Sequence, residues 1–352
     1  MLCIIMPAYN AEKTIKYAIK SVQKQSFKDW NLIIINDGSN DDTLSICKEE
    51  ANKDERIRVI NQDNAGQFEA RKNGLKLCDN VSADDYVTFL DSDDAFYGSD
   101  NLESILKNEN RDIICAGNIC VFNNKNCKKI PLKKGRILEE KVYSDDNLSE
   151  VLVSFYGGSF IGDELCGKFF KVGIIKNAFE SITVHPKRYA EDLIVNLYAF
   201  AAANCIALKS EIILCYAIGG LTSKFIPTFF DDFCIVDELR LKLICQYEYE
   251  EKFLRTADIQ MYNVAISWLE MCYHSGKYDD EKLAEEITMV LNTSQISRLS
   301  QSTYVEDFEK INNRGYLFLF KQKDVENIIL KVKSTEPANS IKSRIKRVFR
   351  IK

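Results

Sequence analysis

The sequence predicts an α/β fold with a mostly parallel sheet covered by helices, followed by a helical C-terminal region. Two observations carry this prediction. Four apolar runs in the first hundred residues are continuous rather than alternating, which is typical of strands buried on both faces of a sheet. Segments with helical patterning separate these runs, and strands that alternate with helices form parallel sheets.

The elements follow one another at regular spacing along the chain. In the first hundred residues we predict strand 2–6, helix 11–25, strand 31–36, helix 41–53, strand 57–60, helix 66–78 and strand 86–90. The mixed middle contains strand 112–122, a basic hairpin-like stretch 125–138, helix 145–156, the strand CGKFF at 166–170, a helix from about 190 and strand 211–218. Helical segments follow from about 228, so we expect the domain boundary near 222–228.

The charge distribution argues against general nucleic-acid binding. The net charge of the 352-residue chain is −5, and residues 341–352 hold six basic residues and no acids, which leaves −11 for residues 1–340. A nucleic-acid partner needs a basic face that neutralises phosphates. We therefore expect no nucleic-acid partner.

The twelve cysteines do not have the spacing of a disulfide scaffold or a zinc site, since no Cys-x-x-Cys pair occurs and there are two histidines. We expect buried thiols in a reducing compartment. Strand 2–6 leaves no room for a signal peptide. The longest apolar stretch, 193–208, is too short and too polar to span a bilayer. These features together predict a cytoplasmic protein.

Asp91-Ser92-Asp93-Asp94 directly follows a buried strand and is the strongest chemical motif. Two carboxylates separated by one residue are suited to hold Mg²⁺ or Mn²⁺ and leave positions open for phosphate oxygens. Acids are also common at strand ends and in turns, so the motif alone leaves both interpretations open. Its position among other polar strand ends favours the metal, because ligands of such sheets bind beyond the carboxyl ends of the strands.

Asp37-Gly38-Ser39 ends the second strand. A tight turn and a helix N-cap explain Gly38 and Ser39, but they leave Asp37 open to bind a base or a ribose. Asn64 and Arg71 follow the third strand. Arg71 is suited to pair with a pyrophosphate, although a solvated helix face is the better explanation of this residue by itself.

Glu191-Asp192 opens an apolar helical run in the second half of the chain. Acids are favoured at a helix start by its dipole, and the alternative is a general base. His185 is either a further metal ligand or base, or a structural histidine. Lys168 either contacts a phosphate or extends its ammonium group away from apolar neighbours.

The segments CIIMPAYNAEKTIKYAIKSVQKQSF, IIINDGSNDDT, NAGQFEARKNGL and YVTFLDSDD, in this order and spacing, resemble the inverting glycosyltransferases of family 2, which have the GT-A fold. The resemblance is dense over residues 2–97 and continues more thinly to about 223 through CGKFFK, YAEDLIVNL and YAIGGLTSK. It implies a GT-A domain at 1–225, with a nucleotide-sugar half (1–97) and an acceptor half (98–225). A helical region (226–335) and a basic amphipathic tail (336–352) follow.

The resemblance also implies a role for each matching residue. Asp37 would hold the base, and Asp192, next to Glu191, would be the catalytic base. Lys72 replaces the asparagine of the family's Ala-Arg-Asn motif. The implied donor-binding residues are Pro7, Ala8, Tyr9, Asp37, Asn64, Arg71, Asp91, Ser92 and Asp93, and the implied metal ligands are Asp93 and Asp91 for Mn²⁺ or Mg²⁺.

The function implied by the resemblance is metal-dependent, inverting transfer of a hexose or N-acetylhexosamine. The donor would be a UDP-sugar, and the acceptor a hydroxyl of a glycan, glycolipid or glycoprotein. The alternative is a non-catalytic glycosyltransferase-like binding domain. A dinucleotide-dependent oxidoreductase is set aside, because Pro-Ala-Tyr-Asn stands where a Gly-x-Gly-x-x-Gly turn is needed. Periodicity leaves open whether segment 228–330 supplies the acceptor site or a homo-oligomer interface.

The basic tail has apolar residues at helical spacing, with basic residues over much of the remaining circumference. Such a helix is suited to lie in the headgroup region of an anionic membrane. We therefore expect either a peripheral contact at the inner face of the membrane or a solvated basic C-terminus.

Overall fold

The computed structural model describes residues 1–78, 81–107, 109–123, 128–130, 139–156, 161–218, 225–245 and 250–335. The basic tail and most of the hairpin-like stretch 125–138 lie outside these residues. The chain divides into two compact units. The sheet unit comprises Met1–Val151, Asp163–Thr183 and Val195–Gly219. The helical unit comprises Leu152–Gly162, Val184–Ile194 and Gly220–Lys352. The domain boundaries implied by the resemblance stay a prediction.

The described strands form a single mixed sheet. They are β1 (Leu2–Ala8), β2 (Trp30–Asp37), β3 (Ile57–Gln62), β4 (Tyr86–Phe89), β5 (Ala95–Phe96), β6 (Ile113–Asn123), β7 (Lys128–Ile130), β8 (Lys141–Ser144), β9 (Lys168–Lys171) and β10 (Cys205–Ile218). Their order is β3-β2-β1-β4-β9-β6-β10-β5, with β7 on β6 and β8 on β10. The four strands of the first hundred residues pair in parallel, as their continuous apolar runs predict.

The described helices include those predicted up to residue 202, and they add two that were not predicted, at 101–106 and 172–181. They are α1 (Ile15–Gln23), α2 (Thr43–Ala51), α3 (Gln67–Lys76), α4 (Asn101–Leu106), α5 (Leu148–Tyr156), α6 (Val172–Ser181), α7 (Glu191–Ala202), α8 (Phe229–Ile244), α9 (Glu250–His274), α10 (Asp280–Leu291), α11 (Ser294–Leu299), α12 (Thr303–Asn312), α13 (Leu317–Gln322) and α14 (Val325–Lys333). Every residue of β1 is buried, and α3 packs on β1 and β2. The predicted α/β class is confirmed.

The second half of the sheet differs from the first in strand direction. β9 is antiparallel to both β4 and β6, so it joins the parallel strands of the first hundred residues to β6 and β10. β10 is longer than the predicted strand 211–218 because it begins at Cys205. Its pairing with β6 shifts register between Lys209 and Ile212. The polar residues at this shift interrupt the apolar pattern, so the sequence did not predict the first half of the strand.

The helical unit contains a buried network of charges beside its apolar core. Asp237, which is fully buried, pairs with Arg240 and with Arg298, and Arg298 also pairs with Asp258. These contacts tie α8, α9 and α11 together. No helix in the described part of the chain is long and apolar enough to cross a membrane.

The cysteines correct one expectation. Cys47, Cys166 and Cys272 are buried thiols, as expected, whereas Cys245 is exposed. Cys3 and Cys78 are also buried, but they form a disulfide, with their Cα atoms 6.8 Å apart. They come together because α3 packs on β1, and a separation of 75 residues gives no local spacing that signals such a pair.

Candidate active site

The carboxyl ends of the first parallel strands lie at one edge of the sheet. The register pairs Ala8 of β1 with Asn36 of β2, and Asp37 with Gln62 of β3. The polar segments that follow these strands therefore start side by side, as the sequence predicts.

Asp37 organises this edge through hydrogen bonds within the protein. Its carboxylate is 4% exposed and accepts hydrogen bonds from the Gln62 amide (2.7 Å) and from the backbone N–H groups of Ala65 (2.8 Å) and Gly66 (2.9 Å). The Asn64 amide donates to the Asp37 carbonyl oxygen at 3.0 Å. Asp37 thus holds the loop that precedes α3, and its implied contact with a base stays a prediction.

Gly38 permits the close approach of this loop. Its φ is +70°, and a Cβ there would lie 2.8 Å from the backbone nitrogen of Asn64. A side chain at this position meets both an unfavourable backbone conformation and a steric clash. Gly38 is therefore explained by its approach to the 64–66 loop, in addition to the predicted turn.

Ser39 does not cap a helix, contrary to the simple interpretation of the sequence. Its hydroxyl oxygen accepts a hydrogen bond from the backbone N–H of Asn10 at 3.0 Å. Asp41 instead accepts from the N–H of Thr43, at the start of α2, at 3.0 Å. Ser39 therefore connects the ends of β1 and β2.

The segment that follows β1 goes from buried to exposed within three residues. Pro7 and Ala8 are buried, whereas Tyr9 is 50% exposed. An exposed aromatic ring beside these polar strand ends is available to stack on a base or a sugar. The implied role of Pro7, Ala8 and Tyr9 as the lining of a nucleoside pocket stays a prediction.

Arg71 is buried and paired, so its interpretation as a residue of a solvated helix face is wrong. It is 1% exposed, and its guanidinium donates to Oδ1 of Asp91 at 2.9 Å. The Gln67 amide, one turn earlier on α3, donates to the same oxygen at 3.0 Å. Because Gly66 and the helix start are held by Asp37, the position of this cation depends on the end of β2 as well as on α3 itself.

The carboxylates that follow β4 have unequal surroundings. Burial raises the pKa of Asp93 to about 6, and the negative charge of Asp91 adds to the shift. Asp94 is 2% exposed, and its Oδ1 accepts a hydrogen bond from the backbone N–H of Ala217 at 2.8 Å. Ser92, between Asp91 and Asp93, is partly buried.

The carboxylates of this cluster are suited to a divalent cation, whereas the thiol of Cys166 is not a ligand that Mg²⁺ or Mn²⁺ prefers. Oxygen atoms of Asp91 and Asp94 and the sulfur of Cys166 all lie within 4.8 Å of one another. Carboxylates are the ligands that Mg²⁺ and Mn²⁺ prefer. Burial raises the pKa of Asp93 and the negative charge of Asp91 raises it further, so a cation bound nearby would favour its ionised form. This group contains the predicted ligand Asp91 and adds Asp94, but it does not include Asp93, whose role as a ligand stays a prediction.

Lys168 and His185 have contacts of their own within the protein. Lys168 is 3% exposed, and its ammonium group donates to the carbonyl oxygen of Glu164. In the helical unit, Nδ1 of His185 lies 2.9 Å from the carbonyl oxygen of Pro186. Both contacts are with backbone carbonyl oxygens, so they do not show that either residue binds a phosphate or a metal.

Glu191 and Asp192 belong to the helical unit. They occupy the first turn of α7, as the sequence predicts, and both side chains are partly buried. The residue before them, Ala190, has a left-handed backbone with φ of 67°. The assignment of Asp192 as catalytic base stays a prediction.

The sequence analysis named Asp94 in its strongest motif but not as a ligand, and it missed Gln62 and Gln67. Gln62, Gln67 and Asp94 make direct contacts with Asp37, Asp91 or the backbone of β10. Gln67 lies four residues before Arg71, so helical spacing places both side chains on one face of α3. That spacing was the available signal for Gln67.

Comparisons with known proteins show which family the first part of the chain is similar to. A family model described as Glycosyl transferase family 2 matches residues 3–155. Glycosyltransferase GlyA of Streptococcus pneumoniae is 30% identical over 220 residues, which are 62% of this chain and 30% of GlyA. The Campylobacter jejuni GalNAc(5)-diNAcBac-PP-undecaprenol beta-1,3-glucosyltransferase is 28% identical over 207 residues, 56% of this chain and 59% of that protein. The chain thus spans between about a third and three fifths of the length of these relatives.

Solved structures agree on the fold. Residues 1–349 of Staphylococcus aureus TarS, in complex with UDP, superpose with a TM-score of 0.65 at 20% identity, covering 95% of this chain and 90% of that one. The same TarS fragment with UDP-GlcNAc gives a TM-score of 0.66 at 18% identity. Residues 3–155 are therefore similar to glycosyltransferase family 2, and the chain has the GT-A fold.

Proposed function

We propose that this protein is a metal-dependent, inverting glycosyltransferase that uses a UDP-sugar as donor. The observation that supports it most is the cluster at the end of β4, where the carboxylates of Asp91 and Asp94 lie within 4.8 Å of each other and Asp91 pairs with the buried guanidinium of Arg71. A pyrophosphate needs positive charge on several sides. A metal cation held by these carboxylates would supply part of that charge, and the guanidinium of Arg71 would supply the rest. The UDP and UDP-GlcNAc bound by TarS favour a uridine donor.

The residues of the sheet unit bind and orient the donor in this proposal. Asp37 and the loop it holds contact the base, and Tyr9 covers the nucleoside. Asp91, Asp93 and Asp94 hold Mg²⁺ or Mn²⁺, which when bound neutralises charge on the departing nucleotide diphosphate. The guanidinium of Arg71 stabilises the same charge from α3.

Asp192 acts as the general base in this proposal. It accepts the proton of an acceptor hydroxyl whose oxygen forms the new bond to the anomeric carbon, while the bond from that carbon to the diphosphate oxygen breaks. One base with no protein nucleophile gives a single displacement, so an α-linked donor yields a β-glycoside. Glu191 flanks the base.

The acceptor in this proposal is a hydroxyl of a surface glycan or of a glycan carried on a lipid. The Campylobacter jejuni relative is named for a lipid-linked acceptor, undecaprenol diphosphate carrying an oligosaccharide. The sugar itself and the linkage depend on loops and pocket shape rather than on the fold.

A panel of UDP-sugars with manganese tests the proposal, scored by thermal stabilisation, donor hydrolysis and transfer. We expect one donor to stand out, chelator to abolish turnover, and Asp93→Asn to remove nearly all activity while the fold persists. Asp192→Asn should keep donor binding and lose transfer by about 100- to 10,000-fold. Full activity in excess chelator contradicts the metal assignment. Donor binding with no turnover on any acceptor favours the non-catalytic binding domain.

A further inference from the structure

One buried carboxylate holds the segment that leads into α7. Asp232, in the first turn of α8, is 1% exposed. Its Oδ1 accepts a hydrogen bond from the backbone N–H of Lys187 at 2.8 Å. Its Oδ2 accepts from the N–H groups of Tyr189 (3.1 Å) and Arg188 (3.3 Å) and from the hydroxyl of Thr228 (2.7 Å). A single side chain thus satisfies three consecutive amides of another segment.

Aromatic packing holds the same segment at its end. The ring of Tyr189 lies 5.2 Å from that of Phe229 and 5.8 Å from that of Phe233, both on α8. Hydrogen bonds to an ionised carboxylate are stronger than neutral ones, and they are stronger still when the carboxylate is buried. Residues 187–189 are therefore held to α8 by hydrogen bonds to Asp232 and by the ring contacts of Tyr189.

The residue that follows has a conformation that a free chain avoids. Ala190 has φ of 67°, and a non-glycine residue in this region persists only where its surroundings hold it there. Its carbonyl oxygen accepts the hydrogen bond of the Ile194 N–H at 3.2 Å, which belongs to the first turn of α7. The backbone that Asp232 holds thus continues directly into the turn that carries Glu191 and Asp192.

We propose that Asp232 is a positioning residue for this enzyme, which sets the first turn of α7 and with it the carboxylate of Asp192. The inference rests on the proposed function, since it takes Asp192 as the base. Asp232 itself acts through residues 187–190 and not on the reactants. Because a displacement of about 1 Å at a reacting group costs about 100-fold in rate, a loosened segment should reduce turnover without weakening donor binding.

The test compares Asp232→Ala and Asp232→Asn with a matched control, Asp231→Asn. Asp231 is the exposed neighbour in the same turn of α8, so its variant makes the same change in charge. We expect Asp232→Ala to lower kcat about 10- to 100-fold with an unchanged KM for the donor. Asp232→Asn retains a carbonyl oxygen that can accept one or two of the hydrogen bonds, so it should be intermediate. The control should stay within twofold of wild type.

A double-mutant cycle separates positioning from a general loss of structure. If Asp232 acts through Asp192, then Asp232→Ala should change the residual rate of Asp192→Asn by less than about threefold, because groups that act as a unit are non-additive. An equal, additive loss in both backgrounds overturns the proposal, as does an unchanged kcat in folded Asp232→Ala. If the alanine variant does not fold, the nearly isosteric asparagine variant enters the same cycle.

The cycle also distinguishes this inference from the proposed function. A fully active Asp192→Asn variant contradicts the assignment of the base, and the positioning role falls with it. An inactive Asp192→Asn variant beside unaffected Asp232 variants leaves the base in place and overturns the positioning role alone.

Discussion

At the residue scale, the electrostatics of Asp93 link the proposed site to stability. Burial raises the pKa of Asp93 from 3.8 to about 6 in the folded chain. Its protonated form therefore contributes stability that is fully present below about pH 4 and is lost as the pH rises through about 6. Without metal, Asp93→Asn should raise the free energy of unfolding by about 1 to 3 kcal/mol at pH 7.5 and by little at pH 4.5.

Urea unfolding in chelator at the two pH values checks this prediction. The exposed residue Asp63 follows β3, and Asp63→Asn is the control for a loss of one carboxylate at this edge. A variant Asp93→Asn that is less stable than wild type at pH 7.5 contradicts the desolvated state of this carboxylate.

Substitutions of two glycines at the same edge of the sheet can measure the effects of backbone strain and steric clash separately. Gly38 and Gly66 both have positive φ, but a Cβ on Gly38 would lie 2.8 Å from a backbone nitrogen, whereas nothing lies within 4 Å of one on Gly66. We expect Gly66→Ala to cost about 1 kcal/mol and Gly38→Ala about 2 to 4 kcal/mol, since the clash adds to the strain. If chemical denaturation shows an equal loss of stability in the two variants, the 64–66 loop moves away from the new side chain at position 38 and no clash remains.

At the element scale, the pair Arg71–Asp91 connects α3 to the segment after β4. Removing one partner leaves a charge without its counterion, which is destabilising in a buried setting, although the 27% exposure of the Asp91 side chain moderates it. We expect Arg71→Gln to cost about 1 to 3 kcal/mol and to weaken UDP binding at least tenfold. As a control, Lys72→Gln, at the next position on α3, should change the free energy of unfolding and the affinity for UDP only slightly.

A cycle with Asp91→Asn tests the coupling between the two elements. The double variant should be more stable than the sum of the single losses implies, by about 0.5 to 3 kcal/mol. Strict additivity in thermal or urea unfolding would mean that Arg71 is held by its other surroundings and not by Asp91.

The elements also show what the sequence can predict. Continuous apolar runs located the first four strands to within a few residues, because burial on both faces leaves little room for polar side chains. The same criterion did not predict the first half of β10, because Lys209, Ser210 and Glu211 interrupt the apolar pattern at a register shift. Helical periodicity placed Arg71 on α3, but it did not reveal which face was buried.

At the scale of the whole molecule, contacts between distant segments account for what was not predicted. The polar strand ends were expected to meet, because parallel strands share an edge. Asp94, by contrast, reaches the backbone of Ala217, and Asp232 reaches the backbone of Lys187, across separations of 123 and 45 residues. Such pairs depend on the complete arrangement of elements, which no local pattern encodes.

Charge is distributed unevenly along the chain, and this distribution favours binding of the C-terminal tail to an anionic membrane. Residues 341–352 carry six basic residues, whereas residues 1–340 have a net charge of −11. Near an anionic leaflet each basic residue contributes about 1 kcal/mol, and Ile341, Ile345 and Phe349 at helical spacing add apolar contact. We expect deletion of residues 338–352 to abolish co-sedimentation with anionic vesicles at low salt and to spare hydrolysis of the donor. Neutral vesicles are the control, and an intact protein that fails to sediment with anionic vesicles contradicts the membrane contact.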